Sequence, residues 1–228
     1  MPFWTTITGV EMEAVYTISL IVTGLVGGAF LMRDARGKVE KMRGAAPLFN
    51  REKIFLPLLF FVMILGDLAA CYYADGIWNG IKVVGALSVA AAAAWTDGNC
   101  KVIPNSYSVL LLGIRTLLLI PEGVMAVEQL PERIIGSVVS LVICLAFLLL
   151  MRKITGGGLG YGDVKFLSAL SFLCGIYAAI GTMLIALLIC VVCSGVLIAR
   201  KKKTWKDTLP FGPFLFIGLW VTVILGFF

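Results

Sequence analysis

The sequence has 228 residues, 60% hydrophobic and 14% charged, with a formal net charge of +6 and a mean hydropathy of +1.01. A water-soluble domain carries about 45–50% apolar and about 25% charged residues, so this chain has too little polar surface for water and the bilayer is its expected solvent. Histidine is absent, which excludes histidine-based nucleophilic triads and the usual zinc catalysis.

A membrane-crossing helix needs about 20 mainly apolar residues, because the hydrocarbon core is roughly 30 Å thick and a helix rises about 1.5 Å per residue. In chain order the candidates are 13–32, 54–73, 77–95, 106–120, 133–151, 164–175, 177–199 and 211–228. Residues 1–12 hold no Lys or Arg, and the first apolar segment is too long for the core of a secretory signal, so it is expected to remain as a permanent helix. The sixth segment is short, as for a half-crossing or one arm of a hairpin with the seventh. The apolar runs are continuous rather than alternating, which argues against a barrel. The expected fold is an all-α membrane protein, a polytopic helical bundle of about eight transmembrane segments. It forms one integral-membrane domain over 1–228, with no soluble domain and no internal repeat. The longest polar connection, 33–53, is expected to be a short basic loop containing Gly37, Gly44 and Pro47.

Charge placement sets an expected orientation. Arg33, Arg36, Lys38, Lys41, Arg43, Arg51 and Lys53 lie between the first two spans. Lys101 follows the third, Arg152, Lys153 and Lys165 follow the fifth, and Arg200, Lys201, Lys202, Lys203 and Lys206 follow the seventh. The alternate connections carry Glu11, Glu13, Asp75, Glu122, Glu128 and Glu132, with only Lys82 and Arg133 as cations. The positive-inside rule then puts both termini outside and the basic loops in the cytoplasm. The net positive charge is thereby explained without nucleic acid, and membrane lipid is the expected neighbour of the basic patches.

Cys71, Cys100, Cys144, Cys174, Cys190 and Cys193 sit mostly within or at the ends of apolar spans. Cys190 and Cys193 form a C-x-x-C inside an apolar helix, where a buried, inert pair fits better than redox or metal chemistry. Carboxylates are the remaining candidates for chemistry: Asp34, Asp67, Asp97 and Asp163. A charge at the centre of a span costs roughly 2.5–3.5 kcal/mol on insertion scales, so such residues need a reason. Asp67, in the second span, is open to snorkelling, to pairing with Arg115 or to supporting a polar cavity, and structural pairing suits it better than catalysis. Asp34 is expected to be solvated in the basic loop.

Asp163 closes Gly156-Gly157-Gly158-Leu159-Gly160-Tyr161-Gly162-Asp163-Val164-Lys165. That glycine density is incompatible with ordinary helix, since each glycine costs about 1 kcal/mol there relative to alanine. The stretch offers permissive backbone with exposed N–H and C=O groups beside a carboxylate. The bland alternative is that Asp163 caps the helix that follows. Asp97 lies at the C-terminal end of the third helix, where the helix dipole disfavours an anion. Capping of that helix cannot account for it, which leaves a solvated loop aspartate as its bland alternative; Asn105 or Ser106 is better placed to cap the fourth helix. Both aspartates fall at the same membrane boundary. Two carboxyl groups brought close cannot both ionise easily, so one becomes an acid beside a base able to activate water on a peptide carbonyl. Such a pair needs no metal, cofactor or histidine.

Asp97 with Ile103-Pro104-Asn105, then Gly160-Tyr161-Gly162-Asp163-Val164-Lys165, then Pro210-Phe211-Gly212-Pro213-Phe214-Leu215, resembles in this order the type IV prepilin peptidases, over about 95–228. The resemblance implies a multi-pass protein of the cell inner membrane that removes a short basic leader from prepilins or pseudopilins at the cytoplasmic face. It places the catalytic aspartates at Asp97 and Asp163 and the G-x-G-D glycines at Gly160 and Gly162. Lys165, Pro104 and Asn105 are site-shaping candidates: Lys165 to tune the neighbouring carboxylate or to sit among lipid headgroups. Pro210 and Pro213 read as structural support for the last span. Many bacterial members of that family carry a cytoplasmic insertion with two C-x-x-C pairs, read as a zinc site, and N-methylate the cleaved product. The 33–53 loop has no cysteine, so a metal is not expected here and the family's methylation step is put in doubt. A small ion- or proton-coupled transporter is the alternative from another class; it predicts midplane carboxylates and two inverted halves, and neither is found in the sequence. A non-catalytic scaffold would leave the aspartate motifs as coincidence. Oligomeric state is not legible.

Overall fold

The computed structural model describes residues 3–42, 64–65, 77–201 and 209–226, with side chains of the first helix from Ile18 onward. Among them are seven α-helices: α1 (Phe3–Met42), α2 (Ile77–Cys100), α3 (Asn105–Met125), α4 (Leu130–Ile154), α5 (Tyr161–Cys174), α6 (Ile176–Ala199) and α7 (Gly212–Ile224). A 3-10 turn, Val127–Gln129, leads into α4, and no strand occurs among the described residues. Among the described residues, four stretches are long and apolar enough to cross a membrane: Ile18–Met42, Asn105–Met125, Val127–Ile154 and Ile176–Ala199. The chain is a helical membrane protein. The expected second span, 54–73, lies outside the described residues apart from Ile64 and Leu65, and Asp67 and Cys71 lie outside with it.

The pattern of burial is that of a bundle bathed in hydrocarbon. α4 exposes Ile135, Val138, Val142 and Ile143, and α6 exposes Leu184, Leu188, Val191 and Val192. Such stripes would be untenable in water. Inside, small and hydroxyl-bearing residues let helices approach closely, the packing expected where lipid removes the hydrophobic drive between helices. Ser171 of α5 donates to the Ser140 carbonyl of α4 at 3.2 Å and to the Ser168 carbonyl at 2.8 Å.

α2 is the central helix and packs against α1, α3, α5 and α7. Its run Ala90–Ala94 combines high helix propensity with side chains short enough for neighbours on every side, and all five are buried. α6 and α7 approach equally closely at Gly218, where an added Cβ would lie 2.5 Å from the Thr182 carbonyl oxygen and 3.0 Å from the Ala186 nitrogen. Backbone cannot swing aside as a side chain can. Gly218→Ala is therefore expected to lower stability by about 1–3 kcal/mol, the usual range for overpacking, read as a lower thermal unfolding midpoint in detergent.

Two elements, α1 and α3, depart from the sequence expectation in three respects. α1 continues to Met42, so residues 33–42 of the expected loop are helix; Gly44 and Pro47 lie outside the described residues. Met32, Ala35 and Val39 are buried on one face of this stretch, while Arg36–Glu40 (3.5 Å) and Asp34–Lys38 pair one turn apart on the others. Asp34 thus belongs to a helix. Secondly, α3 runs past Pro121 to Met125. The turn that proline would end is held by Glu122, whose carboxylate takes two hydrogen bonds from Arg115 (3.0 and 3.1 Å). Thirdly, neither Asn105 nor Ser106 caps α3: Pro104 occupies the N-cap, in extended conformation, with no side-chain cap. α5, with 14 residues, is the short segment anticipated, and Gly175 at φ 92° turns the chain directly into α6.

Candidate active site

The glycine run after α4 has a division of labour. Gly156 (φ 60°) and Gly157 (φ 92°) are in left-handed conformations. Gly157 N–H reaches the Arg152 carbonyl at 2.9 Å and Gly156 N–H the Lys153 carbonyl at 3.3 Å, the paired bonds that end a helix with glycine just past its C-cap. Arg152 turns back over the loop: its guanidinium donates to the Leu159 carbonyl and lies 3.6 Å from the Tyr161 ring centre. The segment is anchored, so the loop delivers Gly160 and Asp163 to a defined position.

α5 begins at Tyr161 with Gly160 as N-cap. Asp163 stands at the third helical position, and its carboxyl takes a hydrogen bond from Gly160 N–H, the reciprocal contact of a capping box. A Cβ on residue 160 would come within 2.7 Å of Asp163 Oδ2, so this approach requires glycine. Gly162 packs on Ile103, with an added Cβ 3.2 Å from Ile103 Cβ and 3.4 Å from its carbonyl oxygen. The first two sequence motifs are therefore in contact.

Asp97 occupies the last turn of α2 and is 6% exposed. Its Oδ2 accepts from Gly212 N–H at 2.6 Å, and Phe211 N–H also donates to the carboxyl. Those two residues form the N-terminus of α7, whose free N–H groups and positive dipole end stabilise an anion. The third motif thus meets the first across 115 residues of chain. Gly212 is obligatory here, since a Cβ would fall 2.7 Å from Asp97 Cβ and 3.3 Å from the Ala93 carbonyl oxygen.

Asp97 and Asp163 line one cavity of about 510 Å³ with Gly157 to Gly160, Lys101, Pro210 and Phe211, closed on the α6 side by Leu187, Cys190 and Ser194. Both carboxyl groups lie beyond the ends of the apolar segments 77–95 and 164–175. Burial pushes the Asp163 carboxyl up, the charge of Asp97 pushes it further, and Gly160 N–H only partly offsets them, leaving it at about 7. Burial also raises Asp97 above the ordinary carboxylate value, opposed by the Gly212 and Phe211 N–H groups and by Lys101. Burial raises both carboxyls; Asp163 holds a proton near neutrality, whereas Asp97 has two backbone donors aimed at its anionic form.

Lys165, Asn105 and Pro104 are placed differently from these two. Lys165 Nζ donates to Asn105 Oδ1 at 3.2 Å, and both line a neighbouring groove between α3, α4 and α5. The lysine is engaged there, and Pro104 acts through the start of α3. Cys190 and Cys193 are half-buried free thiols rather than a sealed pair, with Cys190 on the cavity wall. Sequence reasoning took Phe211 and Gly212 as part of a supporting segment, whereas their N–H groups are the direct partners of Asp97. No grouping of His, Cys, Asp or Glu able to hold a metal occurs among the described residues.

Residues 83–195, which include both aspartates, match the model of the type IV leader peptidase family. Three similar relatives are each called prepilin leader peptidase/N-methyltransferase. The relative from Xanthomonas campestris pv. campestris is 26% identical over 152 residues, covering 65% of this chain and 51% of the relative. That from Pseudomonas putida is 24% identical over 192 residues (75% and 67%), and that from Stutzerimonas stutzeri 29% identical over 136 (59% and 46%). The chain thus spans about half the length of the first of these relatives. No solved structure matches the chain.

Proposed function

The chain belongs to the type IV leader peptidase family, and on that premise we propose that it is an intramembrane aspartyl endopeptidase removing the short basic leader from prepilins or pseudopilins. The observation that carries this reading is the shared cavity that Asp97 and Asp163 line, with Asp163 raised to about 7 and two backbone N–H donors aimed at Asp97. Asp97, with its two backbone donors, is the carboxylate that takes a proton from water as the water oxygen bonds to the scissile carbonyl carbon. Asp163, protonated, gives its proton to the carbonyl oxygen. When the tetrahedral adduct collapses, one of its hydroxyl groups returns a proton to Asp163 as the carbonyl re-forms, the C–N bond breaks and the leaving nitrogen takes the proton held by Asp97. No metal or cofactor enters these steps. The cavity lies at the end of the bundle that carries the basic connections, which the positive-inside rule assigns to the cytoplasm of the inner membrane.

The test is incubation of the purified protein with candidate prepilins in detergent, followed by mass spectrometry of the new N-terminus. Cleavage at the leader boundary is expected, leaving an unmethylated amine. No cleavage of any prepilin tested would remove the proposal, and a methylated product would show that the cysteine-rich insertion is dispensable for methylation.

The rate should also depend on pH in a defined sense. Activity requires Asp163 protonated and Asp97 ionised, so kcat/KM is expected to fall above about pH 7 as Asp163 loses its proton. It should fall again in acid as Asp97 gains one. The two limbs belong to the coupled pair. A profile still rising through pH 8 would contradict these roles.

A further inference from the structure

A second polar cluster lies at the opposite end of the bundle, about 22 Å from Asp97 along α2 if Lys82 is taken as its marker and the rise as about 1.5 Å per residue. The carboxylate of Glu122, with its side chain 0% exposed, meets Lys82 Nζ at 3.0 Å, Arg115 Nη1 at 3.0 Å and Arg133 Nη1 at 3.2 Å. Arg115 Nε also donates to Ser137 Oγ at 2.9 Å, and Arg133 Nη2 to Gln129 Oε1 at 2.9 Å. Among the described residues of this cluster, three cations face one carboxylate. Positive charge that the described residues leave unmatched is costly where it is buried.

The cluster borders a cavity of about 300 Å³ into which Lys82, Arg115, Arg133, Ser137 and Ser140 face. The same cavity is bounded by Gly175, Ile176 and Tyr177, the start of the 24-residue α6, which has no side-chain cap. The free N–H groups and dipole of that helix add to the attraction for an anion. One turn further along α4, a wholly apolar groove of about 210 Å³ opens between α4 and α6, lined by Ile143, Phe147, Ile180 and Leu184 among others. Ile176 borders both spaces. Ile143, Phe147 and Leu184 are 50%, 41% and 53% exposed, so the groove is open towards the surrounding hydrocarbon.

We propose that this end of the bundle binds an anionic phospholipid, its phosphate held by Arg133, Lys82 and Arg115 and an acyl chain laid in the groove between α4 and α6. A free anion would use only the cationic cavity. The apolar groove continuing from it, along the direction in which lipid tails run, selects a lipid. The site is separate from the aspartate cavity and does not rest on the peptidase reading.

Native mass spectrometry of the full chain in neutral detergent tests this with phosphatidylglycerol, with phosphatidylcholine of the same acyl chains, and with inorganic phosphate. Phosphatidylglycerol is expected to be retained at about tenfold lower concentration than phosphatidylcholine, a factor worth about 1.4 kcal/mol, with inorganic phosphate failing to displace it. Arg133→Gln changes a rim side chain that is 36% exposed, and it should abolish the preference. Ile180→Trp, filling the groove, should weaken retention while leaving the cationic cluster intact. Equal retention of the two lipids by the unaltered protein would overturn the proposal, because the excess charge would then be met within the chain. So would displacement by inorganic phosphate, which would mark a plain anion site. An unchanged preference in both variants would place the lipid on other basic residues and overturn it too. The comparisons on unaltered protein decide the matter even if a variant fails to fold.

Discussion

Replacing Asp97 or Asp163 by asparagine is expected to lower prepilin cleavage by on the order of 10²–10⁴-fold each, the range for loss of a general acid or base, while leaving the folded protein intact. Asparagine is the informative substitution at residue 97. Its side-chain oxygen can still accept from Gly212 N–H, now at 2.6 Å from Asp97 Oδ2, so the N-terminus of α7 keeps its partner. Alanine would remove that cap as well, and a loss of activity would then be ambiguous. At residue 163 the thermal unfolding midpoint supplies a second readout. The folded-state carboxyl stands at about 7 against an ordinary 3.8. Between those values the folded chain holds a proton that the unfolded chain has released, so stability falls as pH rises through that window. Asp163→Asn should remove this slope as well as the activity. Full processing by either variant would sink the assignment of the pair, whatever other activity the chain retained.

Gly212→Ala is expected to cost on the order of 10²-fold in cleavage, the scale of a misplacement of about 1 Å in a reacting group, although the residue carries no side chain. The new methyl group would lie 2.7 Å from Asp97 Cβ and 3.3 Å from the Ala93 carbonyl oxygen. Both are parts of α2 that cannot rotate away, so α7 must retreat and its N–H groups leave the carboxylate. Gly160→Ala makes a useful contrast. Its methyl group meets the tip of a side chain, Asp163 Oδ2 at 2.7 Å, which can turn aside with little effect on the fold. Activity should fall in both, but the unfolding midpoint should drop clearly only for Gly212→Ala. Equal stability and full activity in the latter would show that α7 does not position Asp97.

Much of the helical layout was legible because it depends on local quantities. Apolar run length marks α3, α4 and α6, and the short sixth segment corresponds to α5 with its 14 residues. Boundaries were less legible where side chains from elsewhere hold a turn that local rules would end. Pro121 is carried inside α3 by the anchoring of Glu122 to Arg115, and α1 extends to Met42 because one face of 32–39 is buried. Glu122 itself looked like a connection residue, since its three cationic partners come from α2, α3 and α4 and no window of sequence contains them together.

Sequence by itself determined the solvent of this protein and narrowed the chemistry proposed for it. Composition and mean hydropathy require a bilayer, and a chain without histidine but with two boundary aspartates points to carboxylate chemistry. Those conclusions rest on residue types, which a sequence states outright. Only the tertiary structure decided what each residue faces. Asp97 stands at the wrong end of its own helix for an anion, and what answers it is the N-terminus of α7, through Phe211 and Gly212 N–H groups. A backbone donor has no side-chain signature, so no pattern in the sequence announces it. The same holds for the glycines: their number signalled irregular backbone, but only packing separates Gly156 and Gly157, which end α4, from Gly160 and Gly212, which make room for the two carboxyl groups.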